Sequence, residues 1–167
     1  VNYEMDHMWH RAFLASLACR IRPTCFLELG VHRDPALVNV AQFCDLVVGV
    51  DRDLYLVQWP ENSKFYQMTT DAFFAWPAAE IPPPELVFVD ADHRREQVIK
   101  DLYGVEAICA ENCIVVIHDT FPPGIEFTTD VDCSNSYLVP PLLPWEHVTL
   151  PVPPGVTLCR MKPRSLV

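Results

Sequence analysis

No two cysteines in the chain stand at CxxC spacing, and no window approaches about 20 apolar residues free of charge. The second absence excludes a membrane-spanning helix. The first, with an odd total of 7 cysteines, points to reduced core thiols of a cytoplasmic protein rather than a disulfide framework. Cys109 and Cys113 are four apart in apolar sequence, but no second pair stands beside them to complete a zinc site. Basic residues are scarce: 12 Lys and Arg face 22 Asp and Glu, a formal charge of −10. A phosphate backbone is the wrong partner for such a surface, so nucleic-acid binding is not expected. GxGxxG occurs nowhere, which speaks against a nicotinamide-dependent enzyme. The opening VNYEMDHMWHR carries acids and no long apolar run, so it does not read as a secretory signal. It also lacks an initiator Met, which suggests a fragment or a processed chain.

What is present suits one domain spanning residues 1–167, half hydrophobic and 20% charged. Roughly 70% of the unfolded surface can be buried at this length, so the core needs no staples. The 16 prolines exclude an all-helical bundle and demand many turns.

Short apolar runs alternate with helical patterns. Met8 to Arg20 is expected as a helix, with Trp9, Phe13, Leu14 and Leu17 along one face and Pro23 behind it. Strands are expected at 24–31, 46–50, 64–69, 86–89 and 113–120, and a terminal hairpin from HVTLPV and GVTLCRMK. Helices are expected between them at 34–44, 71–79 and 94–111; Asp34 would cap the first and Pro35 would open it. Residues 121–144 hold five prolines and read mainly as loop. Wholly apolar strands separated by helices mean an α/β sheet covered on both faces. A closed barrel of this type needs about 250 residues, so the sheet is expected to be open and doubly wound.

Ligands of such sheets bind beyond the carboxyl ends of the strands. That edge collects Glu28 and Gly30, Asp51, Asp90 with Asp92 and His93, and His118 with Asp119. Helix capping explains Asp34, Asp53 and Asp71, because helix N-termini favour acids. It does not explain Asp119, which precedes a Thr-Phe-Pro-Pro loop, nor three ionisable groups within DADH.

The order FLELGV, VVGVD, LVFVDADHRREQVIKDL and CIVVIHDT resembles class I S-adenosylmethionine-dependent methyltransferases. It is similar in particular to small O-methyltransferases whose fourth and fifth strands end in Asp-x-Asp-His (or Lys) and in His-Asp or Asp-Asn. The resemblance runs from about Thr24 to Met161. It implies a Rossmann-like, mostly parallel seven-stranded sheet with an antiparallel last strand. It also implies S-adenosylmethionine as cofactor and, as in the cation-dependent members, Mg²⁺. Carried over, Glu28 and Gly30 match the first motif, where the backbone passes close to the methionine part, and Asp51 is the acid for the ribose hydroxyls. Asp71 falls near the adenine, where capping explains it equally well, and Asp92 joins the cofactor-binding set. Asp90 and Asp119 match the metal ligands, and His93 takes the place of the catalytic base. A solvent-exposed first-turn residue is the other reading of His93. Two carboxylates on adjacent strands repel unless bridged, and an oxygen-only set suits Mg²⁺.

Two positions depart from the pattern: Asp34 stands where a second Gly belongs, and Thr120 replaces the Asn that often gives a third ligand in the Asp-Asn members. The expected activity is methyl transfer to a hydroxyl of a small-molecule acceptor. The alternative is a degenerate cofactor-binding domain. With a single helix before the first strand, acceptor recognition falls to residues 1–11, the 121–144 loop or a second subunit of a homo-oligomer.

Overall fold

A computed structural model describes residues 3–33, 35–54, 58–76, 80–120, 138–139, 142, 144–150, 152 and 154–160, with side chains from residue 9 onward. The apolar runs pair side by side as β1 (Cys25–Leu29), β2 (Leu46–Asp51), β3 (Ser63–Gln67), β4 (Leu86–Val89) and β5 (Ile114–His118). These five pair with one another in parallel. The hairpin strands β6 (Glu146–Leu150) and β7 (Val156–Arg160) complete a seven-stranded sheet of order β3-β2-β1-β4-β5-β7-β6. β7 runs antiparallel to β5, and β6 antiparallel to β7. The chain leaves β1 in one direction and returns to β4 on its other side, which puts the switch point between them.

Every residue of β1 and β4 is buried, because helices cover both faces there. Alternation along a strand sends consecutive residues to opposite layers. Phe26, Val47, Phe88 and Val116 meet Leu14 and Ala18 of α1 (Tyr3–Ile21), and Leu37 and Val40 of α2 (Leu37–Val40). Leu27, Val48, Val87 and Ile117 meet Phe73 of α3 (Thr70–Ala75), and Val98, Leu102 and Val105 of α4 (Arg95–Ile108). Cys25, Cys113 and Cys159 are buried free thiols, as the composition suggests; Cys133 lies outside the described residues.

The helix ends correct the sequence reading. α1 is longer than expected and stops where Arg22 adopts φ 54°, its N–H donating to the Ala18 carbonyl at 2.8 Å. The second helix does not start at Pro35: α2 begins at Leu37 and tightens into a 3-10 turn at Ala41–Phe43. The cap expected of Asp34 falls outside the described residues. In α3 the cap is Thr69, whose hydroxyl accepts from the Ala72 N–H at 3.2 Å, and the helix ends at Ala75. α4 stops at Ile108, and the following turn feeds β5. Most of the 121–144 loop lies outside the described residues.

Candidate active site

A cleft of about 880 Å³ opens at the carboxyl ends of β1, β2, β4 and β5. That volume suits a ligand of small-molecule size. Each carboxylate singled out as a site residue lines it, together with Gly30 and His93.

The first wall is the loop after β1. Gly30 has φ 86° and donates its N–H to the Val50 carbonyl at 2.9 Å. A Cβ at this position would overlap the Asp90 carbonyl, so only glycine lets the loop lie on the end of β4. Glu28 points to the α1–α2 side and is 2% exposed. Its Oε1 accepts from the Ala36 N–H at 2.9 Å and its Oε2 from the Leu37 N–H at 2.7 Å. A residue from β1 therefore satisfies the amides that open α2. Burial pushes Glu28 up to about 8, against the two amides and Arg11, which favour the ionised form. Asp51 secures the same loop: its Oδ2 accepts from the Val31 and His32 amides at 2.9 and 3.1 Å.

The second wall joins α3 to α4. With Thr69 as the cap, Asp71 is free of that duty. It accepts from Gln97 Nε2 at 2.9 Å and faces Lys100 Nζ at 3.7 Å. Asp92 is held by Arg94, whose Nη2 lies 2.6 Å from Oδ2 and whose backbone N–H donates to Oδ1 at 2.9 Å. The Arg94 hydrogen bonds keep the Asp92 carboxyl below the usual range.

Between these walls the parallel pairing of β4 and β5 sets Asp90 beside Asp119. His93, in the turn before α4, places Nδ1 3.2 Å from Asp119 Oδ2. One donor atom from each of Asp90, His93 and Asp119 falls within 4.8 Å of the other two. Asp119 has φ 53°, a conformation Asp tolerates better than most residues. Beneath them His118 is 3% exposed, with Nδ1 2.9 Å from Asp90 Oδ1 and 3.4 Å from Asp119 Oδ1. Burial opposes the imidazolium, yet the two carboxylates outweigh it and push His118 up to about 10.

Thr120 does not join this group. It is fully buried, its hydroxyl accepts from Thr157 Oγ1 at 2.8 Å, and it does not line the cleft. The sequence reading missed His10, which α1 brings over Phe88 at 5.7 Å and to 4.4 Å from the His118 ring. Its signal was position: His10, Leu14 and Ala18 share one buried stripe at four-residue spacing.

Residues 24–120, more than half of the chain, match the family described as "Methyltransferase domain". No curated protein matches the sequence. The fold is similar to that of cofactor-bound Rv0187 from MTB, with a TM-score of 0.76 and 15% identity over 94% of this chain and 81% of that one. It is similar to TomG from Streptomyces achromogenes, an O-methyltransferase of tomaymycin synthesis in complex with SAM (TM-score 0.68, 13% identity, 92% and 79% coverage). The O-methyltransferase from Bacillus cereus in complex with SAH is also similar, at TM-score 0.68, 13% identity, and 92% and 80% coverage.

Proposed function

Because the chain belongs to the methyltransferase domain family, we propose that it moves a methyl group from S-adenosylmethionine to a hydroxyl of a small molecule, assisted by a divalent cation. The observation that carries this reading is the juxtaposition of Asp90, His93 and Asp119 at one point of a cleft whose walls hold Gly30, Asp51 and Asp71. SAM and SAH, held by the TomG and Bacillus cereus proteins, are the ligand pair this reaction needs.

In this reading Gly30 gives backbone room to the methionine portion, Asp51 accepts from the ribose diol, and Asp71 stands near the adenine. Glu28, buried against the Ala36 and Leu37 amides, and Asp92, paired with Arg94, act through the loops they hold. Asp90 and Asp119 would hold the cation, and two carboxylates with a neighbouring imidazole suit a dication. A bound dication lowers the pKa of an acceptor hydroxyl. The protein's own task is then to align the acceptor oxygen with the sulfonium methyl, and alignment supplies most of the rate.

Asp51→Ala should weaken S-adenosylmethionine by about 1–3 kcal/mol, roughly 5- to 150-fold in Kd. Calorimetry on a variant with an unchanged circular dichroism spectrum measures this, and unchanged affinity removes Asp51 from the ribose. Chelation should abolish product formation, and added dication should restore it. Thr120 favours a second reading, a binding domain without turnover, because its hydroxyl is turned to Thr157. Cofactor binding without methylation of any hydroxyl acceptor in a broad panel would select it.

A further inference from the structure

We propose that His93 is the third protein ligand of the cation site, and that the resulting two-carboxylate, one-imidazole set selects a first-row transition dication over Mg²⁺. The proposal rests on the cation site of the methyl-transfer reading and assigns His93 to the metal instead of to proton transfer. Three observations lead to it.

The position that would complete an all-oxygen set is withdrawn. Thr120 is 0% exposed, its hydroxyl is bonded to Thr157, and its N–H donates to the Gly155 carbonyl at 3.3 Å. Turning that hydroxyl to the cleft would break a buried pair that Thr149 extends, at 2.7 Å from Thr157.

A nitrogen stands where the missing donor is needed. Ligands at 2.0–2.2 Å from one ion and at right angles to each other are about 3 Å apart. His93 Nδ1 is 3.2 Å from Asp119 Oδ2, and the Asp90 donor closes the triangle within 4.8 Å. The His93 side chain is 26% exposed and faces the cleft, so an ion and its waters can reach it.

The carboxylates are also oriented for this. His118 Nδ1 lies against Asp90 Oδ1 and Asp119 Oδ1 from the buried side. That contact leaves Asp119 Oδ2 on the side of His93. Orientation of ligating carboxylates by a buried partner is the usual support of a metal site. Imidazole nitrogen favours Mn²⁺ through Zn²⁺ over Mg²⁺, which prefers oxygen and keeps its waters. The chemical class is therefore a borderline transition dication.

The test is calorimetric titration of the metal-free full chain with Co²⁺ and, separately, Mg²⁺, with the visible Co²⁺ spectrum as a second readout. The wild type should bind Co²⁺ at least about tenfold more tightly than Mg²⁺. His93→Ala should lower Co²⁺ affinity about tenfold or more, change Mg²⁺ affinity by less than about threefold, and alter the Co²⁺ band. Free imidazole should restore that band. Asp119→Asn, which keeps a residue tolerant of φ 53°, should weaken both ions. His93→Gln covers the case in which the alanine variant fails to fold. Unchanged Co²⁺ affinity and spectrum in either folded His93 variant overturns the assignment. Absent S-adenosylmethionine binding with intact Co²⁺ selectivity instead overturns the methyl-transfer reading and leaves this site standing.

Discussion

Gly30→Ala is expected to cost about 2–5 kcal/mol of stability and to abolish cofactor binding. Two costs add. An L-residue held at φ 86° pays about 1–2 kcal/mol for its left-handed backbone. The new methyl must also displace backbone, because the Asp90 carbonyl and the Asp90–Ala91 peptide fill the space. Overpacking of this kind costs about 1–3 kcal/mol, and here no flexible side chain can give way. The displaced group is the base of Asp90, so the proposed cation site should be disturbed along with the loop after β1. Urea denaturation and S-adenosylmethionine calorimetry on one preparation measure both effects. A variant within about 1 kcal/mol of wild type, with normal binding, would show that the close approach of β1 and β4 is dispensable.

Glu28 should make the protein less stable as pH rises from about 5 to 8. The carboxyl ionises at its ordinary value of 4.5 in the unfolded chain and at about 8 when folded. Between those values the folded state binds more protons, so its advantage is complete below 4.5 and is lost as pH climbs through about 8. The slope can approach about 1.4 kcal/mol per pH unit. In the metal-free protein His118 acts in the same direction at higher pH. Its folded value of about 10 exceeds the ordinary 6.5, so its contribution is whole below 6.5 and lost above. The two are separated by Glu28→Gln, which cannot titrate and should flatten the lower part of the profile. It should also cost about 1–3 kcal/mol, because its NH₂ group faces one of the two amide N–H groups that donate to Glu28. Glu28→Ala should cost about 3–5 kcal/mol, since it leaves both amides and a cavity behind. Urea midpoints at four pH values between 5 and 8 decide the matter. An unchanged slope in the Gln variant would remove Glu28 as the titrating group.

The central strands were legible because burial on both faces leaves no polar position to interrupt the run: LVFV is β4 residue for residue. β3 carries more polar positions because it lies at the sheet's edge, where SKFYQ is only partly covered. The start of α2 was misread for a different reason. Asp34-Pro35 is a local signal, whereas the amides of Ala36 and Leu37 are satisfied by Glu28, eight and nine residues back on another element. No window rule contains that contact. At the site, the acids were identifiable from their places after strands, but their partners were not. That Asp92 belongs to Arg94 and Asp51 to the Val31 amide depends on side-chain direction in loops. His10 arrives from a helix far away in sequence, and its ring contact with His118 exists only once α1 covers the sheet.

The hairpin at the end of the sheet bears on the order in which the protein is built. β7, the last of the described strands in sequence, lies between β5 and β6, so among the described strands β6 reaches the sheet only through it. The residue after Asp119 is pinned by Gly155 and by Thr157, 37 residues away. Closing that loop is slower than pairing strands that a single helix connects. A chain that emerges N-terminus first therefore has β1 to β5 in hand, with Gly30 and Asp51 in place, before the hairpin can fix Thr120 and so steady the turn that carries Asp119 from its far side. In the proposed reading, the loops that would take the nucleoside are therefore expected to be in place earlier in time than the last support of the turn that would hold the cation.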